Sequence, residues 1–431
     1  MKVLHVNNTD LMGRRFNGYD LIQELPSRGV TCKQAVLNKR SMSPDVVPLL
    51  VTPEDWALHH ASIVVEGRRC MNDVIFPWGA VLTETAAFKD ADLVHLHLIH
   101  NQVISLIDLP RVVELKPCVW TFHDAWALTG HCINPYECER WLHGCEHCPH
   151  LDAVFPMERD CADRMWRVKH RALADLDVDI VVASEYMRDM VRRSPITAHF
   201  ERVHVIPFGI DASAFVSQTD KATSRRMLGI PEDDFVVLFR SFPGGIKGLP
   251  HIIKAFRMRK PTRPTTLLTV DNRDLLKGLL PEYNIVEMGW VEDQEIYTRI
   301  FSACDVFMMP STAEGFGLMA LEAMASARPV VCFEGTSVAS VVHAPECGIA
   351  VPMGDAVALR SAVDGLAENP GEAQRRGQMG RTLAAEHYSH DRYLDALAAL
   401  YHGVLEQRGR LLSSSSDASD GQPLQSTPDA G

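Results

Sequence analysis

The sequence predicts an α/β protein with two doubly wound parallel sheets, and three observations support this prediction. Short, continuous runs of apolar and β-branched residues recur along the chain, with helix-forming stretches between them. Continuous runs are typical of strands covered on both faces, and strand–helix alternation is typical of parallel sheets. The runs form two sets. Because 431 residues exceed one ordinary hydrophobic core, we expect two domains.

The two sets of runs predict four strands in the first half of the chain and five in the second. Between the sets, residues 205–211 read Val-Ile-Pro-Phe-Gly-Ile-Asp, and the proline and glycine indicate a domain boundary. We therefore expect an N-terminal domain over residues 1–205 and a C-terminal domain over residues 206–385. The predicted strands are Val3–Val6, Leu93–Ile99, Val119–His123, Ile180–Ser184, Phe235–Arg240, Thr265–Val270, Ile285–Gly289, Val306–Met309 and Val330–Phe333.

Two further segments follow the second domain. A helical pattern over residues 386–410 predicts a C-terminal helix. Residues 411–431 are rich in Ser, Asp, Pro and Gly. Because that composition cannot bury enough apolar surface to become ordered, we expect a disordered tail over residues 411–431.

Composition narrows the class of protein and its partners. Hydrophobic and charged residues make up 46% and 23% of the chain, values typical of a globular protein. The net charge of −12 opposes binding to nucleic acid or to anionic membrane. The start has no long apolar signal segment and no stretch is long enough to span a membrane, so we expect a cytoplasmic protein. Its eleven cysteines should then be reduced thiols or metal ligands.

The most informative segment places two carboxylates, Glu314 and Glu322, on either side of a Gly-Phe-Gly turn. The predicted strand Val306–Met309 precedes the turn, and helix-forming residues 318–327 follow it. A glycine turn at a helix N-terminus offers backbone N–H groups and a positive dipole to an anion such as phosphate. Two carboxylates beside an anion site suit a phosphate-linked polyol, because sugar hydroxyls are donors.

Other candidate residues follow predicted strands, where ligands of open parallel sheets bind. Gly13 lies in the loop after the first strand and would let the backbone approach a ligand, although an ordinary loop is equally compatible. His123 ends the third strand and could donate to a hydroxyl or a phosphate. The alternative is that His123 is satisfied by its neighbour Asp124.

A lysine also follows the fifth strand. Lys247 lies in the glycine-rich turn of residues 244–248, next to a predicted helix, and this arrangement suits a diphosphate. Arg240 could supply a second cation. The alternative is a surface lysine in an ordinary turn.

Four cysteines lie close together in a cysteine-rich loop (residues 130–150). Four thiols ending in Cys-x2-Cys can close a tetrahedral zinc site, with three nearby histidines as possible substitutes. A structural zinc is therefore possible, and the alternative is reduced thiols that pack as small hydrophobes. The candidate metal ligands are Cys132, Cys138, Cys145 and Cys148.

These motifs together resemble the retaining glycosyltransferases of family 4, which have the GT-B fold. The similarity rests on the E-x7-E pair, the linker at residues 207–211, Lys247-Gly248 and residues 121–124. Residues 126–149 are similar to a subset that acts in bacterial surface-polysaccharide synthesis. The resemblance implies two Rossmann-like domains facing across a cleft, the first on the acceptor side and the second binding a nucleotide-sugar.

The resemblance also implies roles for individual residues. Glu314 would contact donor-sugar hydroxyls, Lys247 would neutralise the diphosphate leaving group, and His123 would lie near the reacting sugar. Glu322 would hold the ribose hydroxyls. The donor-binding set implied in this way is Gly13, Arg240, Lys247, Gly315, Phe316, Gly317, Leu318 and Glu322.

The implied reaction moves a sugar from a nucleotide diphosphate, with UDP or GDP expected, to a glycan or lipid-linked acceptor. It would retain the anomeric configuration and need no obligatory metal cofactor, in exopolysaccharide, capsule or lipopolysaccharide synthesis. Two alternatives stay open: a nucleotide-sugar epimerase on the same fold, and a non-catalytic sugar-nucleotide-binding module. A nicotinamide dehydrogenase is disfavoured because its glycine fingerprint is missing.

The sequence also leaves contact with a membrane open. Residues 157–174 carry several cations, including Lys169, and could form a basic helix at the inner membrane face. The alternative is an ordinary surface helix, because acidic residues interrupt the basic ones. No nucleic-acid partner is expected.

Overall fold

A computed structural model describes residues 1–152 and 156–419. The chain forms two compact units. The first comprises Met1–Thr121, Arg171–Val181 and the chain from Leu394 onward. The second comprises Phe122–His170 and Val182–Tyr393.

The strands agree closely with the expectation from the apolar runs, because all nine predicted strands are present. Every strand pairing described below is parallel. The strands are β1 (Lys2–Thr9), β2 (Thr31–Asn38), β3 (Val46–Pro48), β4 (Leu93–Leu96), β5 (Cys118–Thr121), β6 (Asp179–Val182), β7 (Val203–Val205), β8 (Phe235–Ser241), β9 (Thr265–Asp271), β10 (Asn284–Glu287), β11 (Val306–Met309), β12 (Val330–Phe333) and β13 (Ile349–Val351).

The helices alternate with these strands, as a parallel α/β fold requires. They are α1 (Leu21–Glu24), α2 (Pro53–Arg69), α3 (Trp78–Glu84), α4 (Ala86–Asp90), α5 (Leu109–Leu115), α6 (Ala162–Leu173), α7 (Glu185–Arg193), α8 (Lys221–Met227), α9 (Leu249–Met258), α10 (Gln294–Ala303), α11 (Leu318–Ala325), α12 (Ser337–Val341), α13 (Ala356–Glu368), α14 (Pro370–His387) and α15 (His390–Ser419).

The first unit contains a doubly wound sheet in which six strands lie in the order β3-β2-β1-β4-β5-β6. The central strands β4 and β5 are buried at every position, which is why their sequences are continuously apolar rather than alternating. Strand β2 was not predicted. Its sequence, TCKQAVLN, begins with alternating exposed and buried residues and therefore lacks a continuous apolar run.

The second unit contains a six-stranded parallel sheet with the order β10-β9-β8-β11-β12-β13. The strand order reverses between β8 and β11, and that reversal is where ligands bind in open α/β sheets. One face of the sheet packs against α9 and α13 around a buried core that includes Val237, Leu267, Ile252 and Leu359. The short edge strand β13 was not predicted.

The two units divide the chain differently from the predicted boundary at residue 205. Residues 122–170 and 182–205 lie in the second unit, and the chain from Leu394 onward lies in the first. Helix α15 extends to Ser419. Residues 420–431 of the expected tail lie outside the described residues.

The possible membrane-facing helix corresponds to α6, and one of its cations is not on the surface. Lys169 is fully buried, and its ammonium donates to the carbonyl oxygens of Trp126 at 2.6 Å and Thr129 at 3.0 Å. Lys169 therefore cannot contribute to a basic membrane-facing surface. Within the described residues, no helix combines the length and apolar character needed to cross a membrane.

Three buried histidines, His5, His95 and His97, lie at the centre of the first sheet. Nδ1 of His5 is 3.0 Å from Nε2 of His97, and the two nitrogens of His95 contact the hydroxyls of Tyr401 and Thr121 at 2.6 and 2.7 Å. Burial lowers the pKa of His5 to about 3 from an ordinary value of 6.5. His5 is therefore neutral in the folded protein at physiological pH.

This burial predicts a specific loss of stability in acid. The unfolded chain protonates His5 as the pH falls below about 6.5, whereas the folded protein does not until about pH 3. The contribution of neutral His5 to the free energy of unfolding is therefore present above pH 6.5 and is lost as the pH falls. At pH 5 the loss is about 2 kcal/mol for one such group. Urea unfolding at pH 7.5 and pH 5 measures it.

The comparison needs two variants. His5→Gln should lose about 2 kcal/mol less than the wild type between the two pH values, whereas the exposed His402→Gln control should behave like the wild type. An identical pH dependence in the wild type and His5→Gln would contradict the assignment.

Candidate functional site

A pocket of about 230 Å³ lies at the carboxyl ends of β8 and β11, where the strand order of the second sheet reverses. All of its lining residues belong to the second unit. The structure brings together eight of the residues that the sequence singled out. They are His123, Arg240, Lys247, Glu314, Gly315, Phe316, Gly317 and Leu318.

The loop that carries Glu314 connects β11 to α11 and is fastened by hydroxyl groups. Oγ of Ser337 donates to the carbonyl oxygen of Glu314 at 2.8 Å, and Oγ of Ser184 donates to that of Gly315 at 2.7 Å. Gly317 is the N-cap of α11 and has a φ of 99°, a conformation that favours glycine. The N-terminus of α11 therefore opens onto the pocket, and its first N–H groups have no partner within the helix.

The turn that carries Lys247 packs directly against the Glu314 loop. A Cβ atom on Gly248 would lie 1.9 Å from the carbonyl oxygen of Pro310, and Gly248 has a φ of 77°. The N–H of Thr312 donates to the carbonyl oxygen of Ile246 at 3.0 Å. Only glycine permits this approach, so the backbone itself sets the separation of Lys247 and Glu314.

As a result, Lys247 and Glu314 form an ion pair inside the pocket. Nζ of Lys247 donates to Oε2 of Glu314 at 2.7 Å, and the two side chains are 23% and 16% exposed. An ion pair of this kind has both charges within reach of a ligand. A bound diphosphate can take over the lysine, and sugar hydroxyls can donate to the carboxylate.

Arg240 contributes a second cation from the end of β8. Its Nε donates to Oδ2 of Asp271 at 2.7 Å, and its guanidinium lies 5.2 Å from the ring centroid of Phe242. Asp271 ends β9 with a φ of 90°. Both cations of the pocket therefore face a carboxylate.

His123 belongs to a row of aromatic rings at one wall of the pocket. Its ring stacks on Phe208 with centroids 5.8 Å apart, and Phe208 meets Phe316 edge-on at 5.3 Å. Gly315 passes close to His123, because a Cβ atom on Gly315 would lie 3.3 Å from the His123 carbonyl oxygen. The stacking fixes the plane of the imidazole ring.

Glu322 does not line this pocket. It lies on α11, buried to 5% exposure, and its Oε2 accepts a hydrogen bond from the Tyr297 hydroxyl at 2.7 Å. Tyr297 lies on α10 and was not singled out from the sequence, because a tyrosine in a helical pattern gives no sign of a partner from another helix.

Gly13 lies in the first unit, in the turn that follows β1. It has a φ of 67°, and a Cβ atom at this position would point into open space, at least 4 Å from every described neighbour. Its predicted contact with a diphosphate stays a prediction.

The cysteine-rich loop lies in the second unit and contains a short 3-10 turn, Arg140–Leu142. All four cysteines are free thiols; two are buried and two are half-buried. Burial raises the pKa of Cys132 to about 12, and the charges of Cys145, Cys148 and Cys138 add to the effect. Burial also raises the pKa of Cys145, to about 11.

Several residues that shape the pocket were missed at the sequence level. Met187 and Phe208 line its walls, and Ser184 both caps α7 and holds the Glu314 loop. The role of Ser184 as an N-cap could have been predicted, since a serine before a helix is typical of an N-cap. Its second hydrogen bond, to a residue 131 positions away, could not have been predicted from the local sequence.

Both halves of the chain match family models of known proteins. Residues 19–214 match the model described as Glycosyltransferase Family 4, and residues 220–383 match the model described as Glycosyl transferases group 1. The two matches meet near the linker at residues 207–211, where the sequence predicted a boundary.

Individual relatives are more distant. The chain is 27% identical over 237 residues to the D-inositol 3-phosphate glycosyltransferase of Arthrobacter sp. strain FB24, covering 50% of this chain and 53% of the relative. It is 28% identical over 150 residues to the putative colanic acid biosynthesis glycosyl transferase WcaC of Escherichia coli K12, covering 32% and 36%. The chain thus matches about half the length, or less, of these relatives.

A solved structure extends the similarity to the whole fold. HepE of Anabaena, solved in complex with UDP-glucose, superposes with a TM-score of 0.63 and 15% identity, covering 94% of this chain and 100% of that one. At that identity the likeness shows the fold alone, an α/β fold of the GT-B type.

Proposed function

We propose that this chain, whose two halves match glycosyltransferase family models, transfers a sugar from a nucleotide diphosphate sugar to an acceptor hydroxyl with retention of configuration. The observation that carries the proposal is the Lys247–Glu314 ion pair in the pocket at the β8–β11 reversal. One member suits the leaving group, and the other suits the sugar.

The first demand of the reaction is a stabilised leaving group. As the bond from the sugar anomeric carbon to the phosphate oxygen breaks, negative charge develops on the diphosphate. Lys247 and the N-terminus of α11 border the pocket and would meet that charge in the proposed complex. Preorganised donors of this kind are usually the largest single contribution to catalysis. Arg240 can add a second cation.

The second demand is a sugar held in one orientation. The Glu314 carboxylate accepts hydrogen bonds, and its loop is fastened by Ser184 and Ser337. Once a diphosphate attracts Lys247, Glu314 becomes an acceptor for donor-sugar hydroxyls. Binding the donor therefore replaces the Lys247–Glu314 ion pair by two charged contacts, one between Lys247 and the diphosphate and one between Glu314 and the sugar hydroxyls. These two contacts offset the loss of the ion pair.

Retention follows if the acceptor oxygen attacks from the face that the diphosphate leaves. The acceptor oxygen then bonds to the anomeric carbon as the phosphate oxygen departs, and the departing oxygen takes the acceptor's proton. The part assigned to His123 is to border the reacting sugar, with its ring held by Phe208. No metal ion is needed in this scheme.

The proposal also specifies the base of the donor and the kind of acceptor. HepE, which shares the fold, is described with UDP-glucose, and a UDP- or GDP-sugar is the donor we propose here. WcaC is described as a putative colanic acid biosynthesis glycosyl transferase. The acceptor we propose is accordingly a growing surface polysaccharide or its lipid-linked precursor.

The donor is tested by thermal shift with UDP, GDP and ADP. A ligand that binds only the folded protein stabilises it by about 2.7 kcal/mol at one hundred times its Kd. We expect UDP or GDP to raise the melting temperature, and Lys247→Ala to lose most of that rise. If none of the three diphosphates stabilises the wild type, the proposed function is wrong.

Turnover tests the ion pair. Lys247→Ala should slow sugar transfer by an amount equivalent to about 2–4 kcal/mol, as removal of an oxyanion donor does. Glu314→Gln keeps the shape of the side chain but removes its charge, and should reduce transfer at least as much. Release of UDP or GDP from the donor that the thermal screen identifies, with acceptor present, measures both variants.

Two exposed residues of the same unit serve as controls. Lys254→Ala on α9 and Glu368→Gln at the end of α13 make the same chemical changes at exposed positions, and should leave turnover within twofold of the wild type, on the order expected for surface sites. Near-normal turnover in Lys247→Ala would remove the lysine from the mechanism. An epimer formed without acceptor would favour the epimerase alternative.

The hydrogen bond from Tyr297 to Glu322 predicts a further effect on donor binding. If Glu322 holds the ribose hydroxyls, Tyr297 orients its carboxylate. Tyr297→Phe removes only the hydroxyl, so we expect a KM for the donor raised roughly three- to tenfold with kcat little changed, the cost of one typical hydrogen bond.

Binding of UDP and 2′-deoxy-UDP separates this role from a structural one. In the wild type, loss of the 2′-hydroxyl should weaken binding, and in Tyr297→Phe the additional loss should be smaller, because the two changes disturb one contact. Strictly additive losses would show that Tyr297 acts elsewhere.

A further inference from the structure

We propose that the cysteine-rich loop binds one structural Zn²⁺ ion through the thiolates of Cys132, Cys138, Cys145 and Cys148. The proposal is independent of the donor site. Four thiolates are one of the usual ligand sets of structural zinc, and a closed four-thiolate site leaves no position for substrate. The role of the ion would therefore be to hold the loop.

The backbone around the Cys-x2-Cys pair is already folded back on itself. Gly144, Cys145 and His147 have φ values of 110°, 59° and 55°, in the left-handed region. Such a conformation costs on the order of 1 kcal/mol for each residue other than glycine. Arg140 opposes this cost, since its guanidinium donates to the carbonyl oxygens of Glu146, at 3.2 Å, and of His147.

A backbone N–H group already approaches one of the proposed ligands. The N–H of Gly130 donates to the sulfur of Cys145 at 3.2 Å. Gly130 can come this close only because it has no side chain, since a Cβ there would lie 2.1 Å from the Ala162 carbonyl oxygen and 3.0 Å from Cβ of Cys145. An N–H aimed at a sulfur atom stabilises a thiolate more than a thiol.

Two buried polar side chains lie beside the loop. The Lys169 ammonium is fully buried beneath the loop and lies close enough to Cys132 and Cys145 to act on their charges. A zinc ion with four thiolates carries a net charge of about −2, and a buried cation offsets part of it. His131 is 1% exposed, and neither of its ring nitrogens has a hydrogen-bond partner among the described residues.

A second cluster of potential ligands competes for the assignment. Among the described residues, His5, His95 and His97 are the group whose donor atoms all lie within 4.8 Å of one another. In that cluster both nitrogens of His95 are already engaged by hydroxyl groups, and Nδ1 of His5 is engaged by Nε2 of His97. The thiols of the cysteine-rich loop are more widely spaced, so zinc binding must draw them together.

The site has a consequence for the pocket. The N–H of Ala125 donates to the carbonyl oxygen of Ile133 at 2.8 Å, which ties the start of the cysteine-rich loop to the segment that follows His123. Lys169 holds the carbonyl oxygen of Trp126 in the same segment. A metal ion in the loop would therefore stiffen the chain that carries His123.

Metal content is the first test, on full-length protein grown with zinc and freed of any affinity tag. Elemental analysis should find about one zinc per chain. Cys138→Ser and Cys148→Ser, which alter the two half-buried cysteines, should each lose most of that zinc. Cys161→Ser, a half-buried cysteine outside the set, should keep it. A wild type without zinc, or full zinc in both ligand variants, would overturn the proposal.

Cobalt identifies the ligands even if a variant folds poorly. Wild-type protein stripped of zinc and titrated with Co²⁺ should show the intense absorption of a tetrahedral tetrathiolate site, and His131→Asn should show the same spectrum. A spectrum with one nitrogen ligand that His131→Asn abolishes would overturn the assignment of four thiolates.

Zinc removal should also speed proteolytic cleavage within residues 123–149, and an unchanged cleavage rate would contradict the stiffening role.

Discussion

The close approach of two backbone turns is the constraint on which the candidate site depends. The turn after β8 and the loop after β11 touch where Gly248 faces Pro310, and no side chain fits between them. Because the strands that lead into these turns are neighbours in the sheet, their ends are held by the ladder of parallel hydrogen bonds. The Lys247–Glu314 distance is thus set by the fold and not by the two flexible side chains alone.

Much of the fold could be read from the sequence, because burial leaves a direct trace in strand composition. Strands β11 and β12 are buried at every position and are continuously apolar, so their limits were predicted to the residue. Strand β2 was not predicted because exposed and buried residues alternate in its first half. Strand β13 was not predicted because three residues are too few to show a pattern. The carboxyl ends of the strands then indicated where the candidate residues would gather.

What could not be read were contacts that join distant parts of the chain. Nothing in the helical pattern around Tyr297 indicates that its hydroxyl meets Glu322, and nothing near Ser184 points to Gly315. Lys169 is the clearest example, since a lysine among other cations suggested an exposed face, yet the side chain is buried and bonded to two carbonyl oxygens. Such contacts depend on how helices and loops pack, which local sequence does not encode.

The walls of the pocket would favour transfer of the sugar to an acceptor over hydrolysis of the donor. Much of the pocket wall is apolar and includes Met187, Phe208, Met309 and Phe316, whose side chains offer water no strong hydrogen bonds. Apolar walls lower the local dielectric, so the same lysine acts more strongly on a developing phosphate charge than it would in water. They would also leave an attacking water molecule poorly held. In the proposed reaction, the combination of a fixed charge pair and apolar walls would therefore favour an acceptor hydroxyl over water at the same anomeric carbon.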